Sequence, residues 1–140
     1  MAATDPKLFL VEQKLNGFSD GDYAPAVERL LAEFEANTGV GLKPGILRKC
    51  GLKISSEAGL GLATPKPLIR ALGTALMKRG FTKDAIILCD VRQQSLQQSG
   101  FLPPLSTERQ DFEGFPVVAY EPNAPKWAEE KKLCFENQVL

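Results

Sequence analysis

The sequence predicts an α/β domain built on a small, mostly parallel sheet with helices on both faces, a three-layer arrangement. Three observations carry that expectation. Apolar residues recur at helical spacing in two separate segments. The pentapeptide Ala85-Ile-Ile-Leu-Cys89 is continuously apolar, as suits a parallel strand covered on both sides. Helical and strand segments then alternate along the chain, the order that βαβ units produce.

Residues 1–22 read as an N-terminal arm or a first strand, with 8–11 as a candidate fourth strand, and residues 23–140 as a single α/β domain. Val27, Leu30, Leu31 and Phe34 lie at i, i+3, i+4 and i+7 and define the apolar face of a first helix. Asp22 is its expected cap, Pro25 is tolerated in the first turn, and Gly39 is its stop. Glu28, Arg29, Glu33 and Glu35 are expected on the solvent face. Cys50-Gly-Leu-Lys-Ile54 reads as a buried strand and is followed by a Gly/Ser-rich loop. Thr64 is the expected cap of a second helix, with Pro65 at its first position, Leu68, Ile69, Leu72, Ala75 and Leu76 as its stripe and Gly80 as its end. Gly73 weakens that helix while allowing close packing. After the strand at 85–89, residues 92–99 form a short helix stopped by Gly100, residues 101–114 a proline-containing loop, and residues 115–120 a third strand with Pro116 at its start or edge. Residues 125–135, carrying Trp127, are expected to form a last helix, with Trp127 packed over the sheet.

Composition sets outer bounds. A chain of 140 residues fits one domain, and at that length roughly two thirds of the unfolded surface can be buried without metal or disulfide. Lys plus Arg and Asp plus Glu are both 17, so the net charge is zero, which argues against nucleic-acid binding. Arg48, Lys49 and Lys53, with Glu57 nearby, read as a solvated surface. The three cysteines, Cys50, Cys89 and Cys134, form no C-x-x-C pair, so no zinc knuckle or iron–sulfur loop is encoded and reduced structural thiols are expected. The absence of histidine removes the commonest general base and every Ser-His or Cys-His nucleophile pair. The short apolar run at 8–11 is no secretory core, and no segment approaches the roughly 20 apolar residues of a membrane span. A cytoplasmic location is the expectation.

Gly51-Leu-Lys-Ile54, Gly59-Leu-Gly-Leu-Ala-Thr-Pro65, Leu68-Ile-Arg-Ala-Leu72, Arg79-Gly80, Ile86-Ile-Leu-Cys-Asp90 and Leu96-Gln-Gln-Ser-Gly-Phe101 follow one another in an order with a precedent. Together they resemble the uncharacterised family catalogued as domain of unknown function 362, from about residue 23 to about residue 122. Ser55 stands where that family carries asparagine, and a later K-x-H segment has no counterpart here. The resemblance implies the α/β fold and the N-terminal part of such a protein, or a shortened relative. Some members carry ferredoxin-like cysteine clusters, which this chain lacks.

In open α/β sheets ligands bind beyond the carboxyl ends of the strands. The polar residues expected there are Lys53, Ser55, Ser56, Asp90 and Arg92, with Thr64 at the following helix start. Lys53 is suited to an anionic group and Asp90 to a hydrogen-bond donor or a cation. The plainer reading is a Lys53–Asp90 ion pair that only finishes the strand ends. The loop before Thr64 invites a phosphate-cradle reading, but Pro65 and Pro67 lack N–H donors and the glycines fit neither phosphate-loop fingerprint. Two functions follow as expectations. One is a small-molecule or anion-binding, or catalytic, portion using Lys53, Ser55, Thr64, Asp90 and Arg92, with no cofactor evident. The other is a non-catalytic structural or interaction domain that packs on a missing C-terminal domain or another subunit.

Overall fold

The computed structural model of the protein describes residues 10–104 and 110–120. They divide into two compact units, residues 10–47 with Pro65–Phe81, and Arg48–Thr64 with residues 82–104 and 110–120. The fold is α/β with a mostly parallel sheet.

The first unit is a pair of helices. Helix α1 spans Asp20–Thr38 and its N-cap is Ser19, a correction to the expected Asp22. Asp22 sits three residues on, where its carboxylate accepts from the Ser19 N–H at 2.9 Å and the Ser19 hydroxyl at 2.5 Å, the carboxylate half of a capping box. Gly39, at φ 70°, ends the helix as expected. Helix α2 spans Lys66–Lys78, and its N-cap is Pro65 rather than Thr64. The Thr64 hydroxyl is engaged elsewhere, by the Ser55 N–H. Past Arg79 the chain turns at Gly80, whose N–H bonds the Met77 carbonyl while the Phe81 N–H bonds that of Leu76. This is the Schellman pattern, and it needs the φ of 97° that glycine adopts freely.

Tyr23 and Val27 of α1 pack with Ala71 and Ala75 of α2, ringed by Leu15, Leu31, Leu68 and Leu72. Small residues on α2 facing large ones on α1 let the helices interlock. Glu28 and Glu35 do not simply face water as expected. Arg79 donates to Glu28 at 2.9 Å and, through two guanidinium nitrogens, to Glu35 at 3.1 and 2.9 Å. The Glu35 carboxylate also accepts from the Leu42 N–H at 2.8 Å.

The second unit is the sheet. Strand β1 is Cys50–Lys53, β2 is Ile86–Asp90, β3 is Asp111–Phe112 and β4 is Phe115–Ala119, in the order β1-β2-β4-β3. β1 and β4 flank β2 in parallel, with Leu52 beside Leu88 and Leu88 beside Val117. Helix α3, Gln93–Gln98, follows β2 and ends at Gly100 in the same Schellman geometry as α2. Ile54, Ile86, Leu88, Leu96, Phe101 and Val117 are fully buried, and the Phe101 and Phe112 rings meet edge-on with centroids 5.1 Å apart.

β3 is a correction, because residues 101–114 were expected to be loop throughout. Glu113 and Gly114 both have positive φ, 52° and 88°, as in a two-residue hairpin turn that returns the chain antiparallel. Pro116 lies near the strand start as expected, one residue before the parallel register with β2 begins, so its missing N–H interrupts no rung there. Of the candidate strand at 8–11, residues 10 and 11 are not in a strand and the other two lie outside the described residues. The expected helix at 125–135, Trp127 and Cys134 also lie outside them.

Candidate functional site

The parallel register pairs Lys53 with Cys89, so β1 and β2 end at the same rim with Asp90 one residue further on. The flexible stem of Lys53 curls over that rim. Its ammonium donates to an Asp90 carboxylate oxygen at 2.6 Å and to the Ile54 carbonyl. The Val91 N–H reaches the same Asp90 oxygen at 2.8 Å. The other oxygen accepts from the Ser56 N–H at 2.7 Å and the Ser56 hydroxyl at 2.5 Å.

Asp90 therefore takes four hydrogen bonds from its own chain. An ionised carboxylate offers about four lone-pair sites, so its acceptor capacity is filled. Its side chain is 2% exposed, against 63% for Lys53. Burial is the largest single influence on the Asp90 carboxyl and acts to raise its pKa. The Lys53 ammonium, the Ser56 hydroxyl and the two backbone N–H groups together outweigh burial, and the carboxyl sits below the usual aspartate range. Burial pushes up the thiols of Cys89, next to Asp90, and of Cys50, at the other end of β1, which keeps both protonated and poorly nucleophilic.

The remaining expected residues form a second group. The Ser55 N–H donates to the Thr64 hydroxyl at 2.8 Å, and the Thr64 N–H returns a bond to the Ser55 carbonyl at 2.8 Å. That reciprocal pair closes the neck of the Gly/Ser loop. Inside the loop the Gly59 carbonyl accepts from the Leu62 and Ala63 N–H groups, and Gly59 donates to the Ser56 carbonyl. These N–H groups are spent on the loop itself. Arg92 pairs with Glu57 at 3.4 Å, both exposed.

Of the five expected site residues, Lys53 and Asp90 touch, Ser55 and Thr64 touch, and Arg92 pairs with a residue outside the set. The serine that engages Asp90 is Ser56, not Ser55. Strand alternation could have told them apart. Leu52 lies beside Leu88, so two residues on Ile54 shares the side of Asp90, and Ser56 continues that parity while Ser55 breaks it.

Among the described residues no three Cys, Asp or Glu side chains converge to hold a metal ion, and no helix is long and apolar enough to cross a membrane. The described grooves lie elsewhere. In the first unit one of about 270 Å³ is lined by Asp20, Arg70 and Thr74, and one of about 590 Å³ by Leu10, Leu30 and Phe34. No protein family, curated protein or solved structure with which the chain was compared matches it.

Proposed function

We propose that this chain is a non-catalytic structural or interaction domain that packs on another domain or subunit. The observation that supports it is the filled carboxylate of Asp90. The best-placed acid on the sheet rim already holds four donors of its own chain, which leaves it no acceptor site for a substrate or a cation. Exposed apolar side chains add to it. Ile46 and Leu47 in the first unit, and Leu60 and Leu62 in the loop of the second, stand in solvent at a cost that a partner would relieve. The proposal assigns the chain to the cytoplasm, without a cofactor and without a nucleic-acid or membrane partner. The resemblance to domain of unknown function 362 is compatible with it, since a part of a longer protein has surfaces to cover.

The test is calorimetric titration of the full chain with inorganic phosphate, Mg²⁺ and Ca²⁺, alongside Lys53→Ala and Asp90→Asn. No saturable heat is expected from wild type or either variant. Saturable binding by wild type that Lys53→Ala or Asp90→Asn abolishes would overturn the proposal and restore a ligand site at the rim.

A further inference from the structure

Among the described residues of the second unit, β1 is an edge strand with no strand paired on its outer side. In a parallel pair, alternate residues direct both backbone groups to the same neighbour. The Ile54 N–H bonds the Cys89 carbonyl, so Leu52 and Cys50 share that direction and Gly51 and Lys53 point their N–H and C=O groups away from β2. Gly51 is exposed, and a Cβ built on it meets nothing within 4 Å. No described residue bonds the outward backbone groups of Gly51. Proteins usually blunt such an edge by shortness, lysine, proline, a bulge or a cover; β1 is four residues long, and its lysine, Lys53, is drawn onto Asp90. Here proline is absent from the strand, and the register with β2 runs without interruption from Cys50 to Lys53.

The charge beside the edge identifies the occupant. Arg48 and Lys49 lead into the strand, both exposed and without an ion pair among the described residues, and Lys53 ends it. Only Lys53 is neutralised, by Asp90. Pairing with a second copy would bring two sets of the unpaired Arg48 and Lys49 together along one seam, an arrangement that like charges oppose. An acidic strand meets the reverse situation. We infer, on the interaction-domain reading above, that the outer edge of β1 accepts an extended acidic segment of a partner by strand addition, with backbone bonds to Gly51 and Lys53 and charge pairing to Arg48 and Lys49.

The test uses the ¹⁵N-labelled full chain and two synthetic peptides, one of alternating Glu and Val and one of alternating Lys and Val. Hydrogen exchange is followed at the Gly51 and Lys53 amides. The Glu-Val peptide is expected to protect both amides and the Lys-Val peptide neither. The double variant Arg48→Glu, Lys49→Glu, which alters only exposed side chains, is expected to weaken the Glu-Val peptide about tenfold. Gly51→Pro removes one outward donor and serves as a second block, with its fold checked by the amide spectrum. Four results would each overturn the inference: protection already present in the free chain, protection that grows with protein concentration alone, equal protection by the Lys-Val peptide, or none from either peptide. None of these disturbs the calorimetry above, whereas a phosphate or cation site at the rim would remove the interaction-domain reading whatever the amides do.

Discussion

The two units each hold a charged cluster, and the clusters are inverted. Around Asp90 the anion is buried, at 2% side-chain exposure, and its cation stands in water at 63%. Around Arg79 the cation is shielded, at 13%, and its carboxylates are more open, Glu28 at 43% and Glu35 at 27%. Asp90 is satisfied largely by backbone and hydroxyl donors fixed in place by the fold, Arg79 by two flexible carboxylates and one backbone carbonyl, that of Ala75 at 3.1 Å. The difference teaches which partner matters. A buried group whose removal strands fixed donors costs far more than an exposed partner of the same formal charge.

The largest expected effect comes from breaking the buried side of that contrast. Asp90→Ala leaves the Ser56 and Val91 N–H groups and the Ser56 hydroxyl without their acceptor. It is expected to cost about 3 kcal/mol or more in urea-induced unfolding, and a loss below about 1 kcal/mol would show that water replaces the carboxylate readily. The same carboxylate links stability to acid. Its folded pKa is depressed, so its contribution is present above the unfolded aspartate value of about 3.9 and is lost as pH falls through the lower folded value. Wild type should lose stability below about pH 4, and Asp90→Asn should flatten that part of the curve. Glu35, whose pKa is lowered chiefly by Arg79 and then by the Leu42 N–H, adds a slope of the same sign that Asp90→Asn leaves in place.

A smaller effect is expected from the shielded cation. Arg79→Met keeps the stem that packs at the end of α2 and removes the charge, with an expected loss of about 1 kcal/mol. That loss should shrink in high salt, because the carboxylates it releases are partly open to solvent. The smallest effect sharpens the contrast. Lys53→Met removes the exposed half of the rim pair and should cost about 0.5 kcal/mol or less, since three of the four donors to Asp90 remain. A loss matching that of Asp90→Ala would show the ion pair itself, rather than the buried donors, to be what holds the rim.

Much of the fold was legible because its signals are local. The helix read from the stripe Val27 to Phe34, the apolar run at 85–89 and the stops at Gly39, Gly80 and Gly100 each depend on a few neighbouring residues and stand, although Leu30 of that stripe is exposed. The juxtaposition of Lys53 and Asp90 followed from strand direction. What escaped was set by competition between groups distant in sequence. Ser19 displaces Asp22 as cap because Asp22 does better as an acceptor one turn in. Thr64 looks like a cap until the Ser55 N–H, nine positions earlier, takes its hydroxyl. Glu35 and Arg79 lie 44 positions apart and no helical periodicity links them. β3 is only two residues long, and its turn uses Glu-Gly in place of the Asn-Gly or Asp-Gly that announces a hairpin.

The strand order β1-β2-β4-β3 is lopsided: a four-residue strand borders one side and a two-residue strand the other. Head-to-tail growth into fibrils needs two long complementary borders on every molecule. Among the described residues β1 is the longer border, so strand addition there, as inferred above, would join one guest to each chain rather than extend an array.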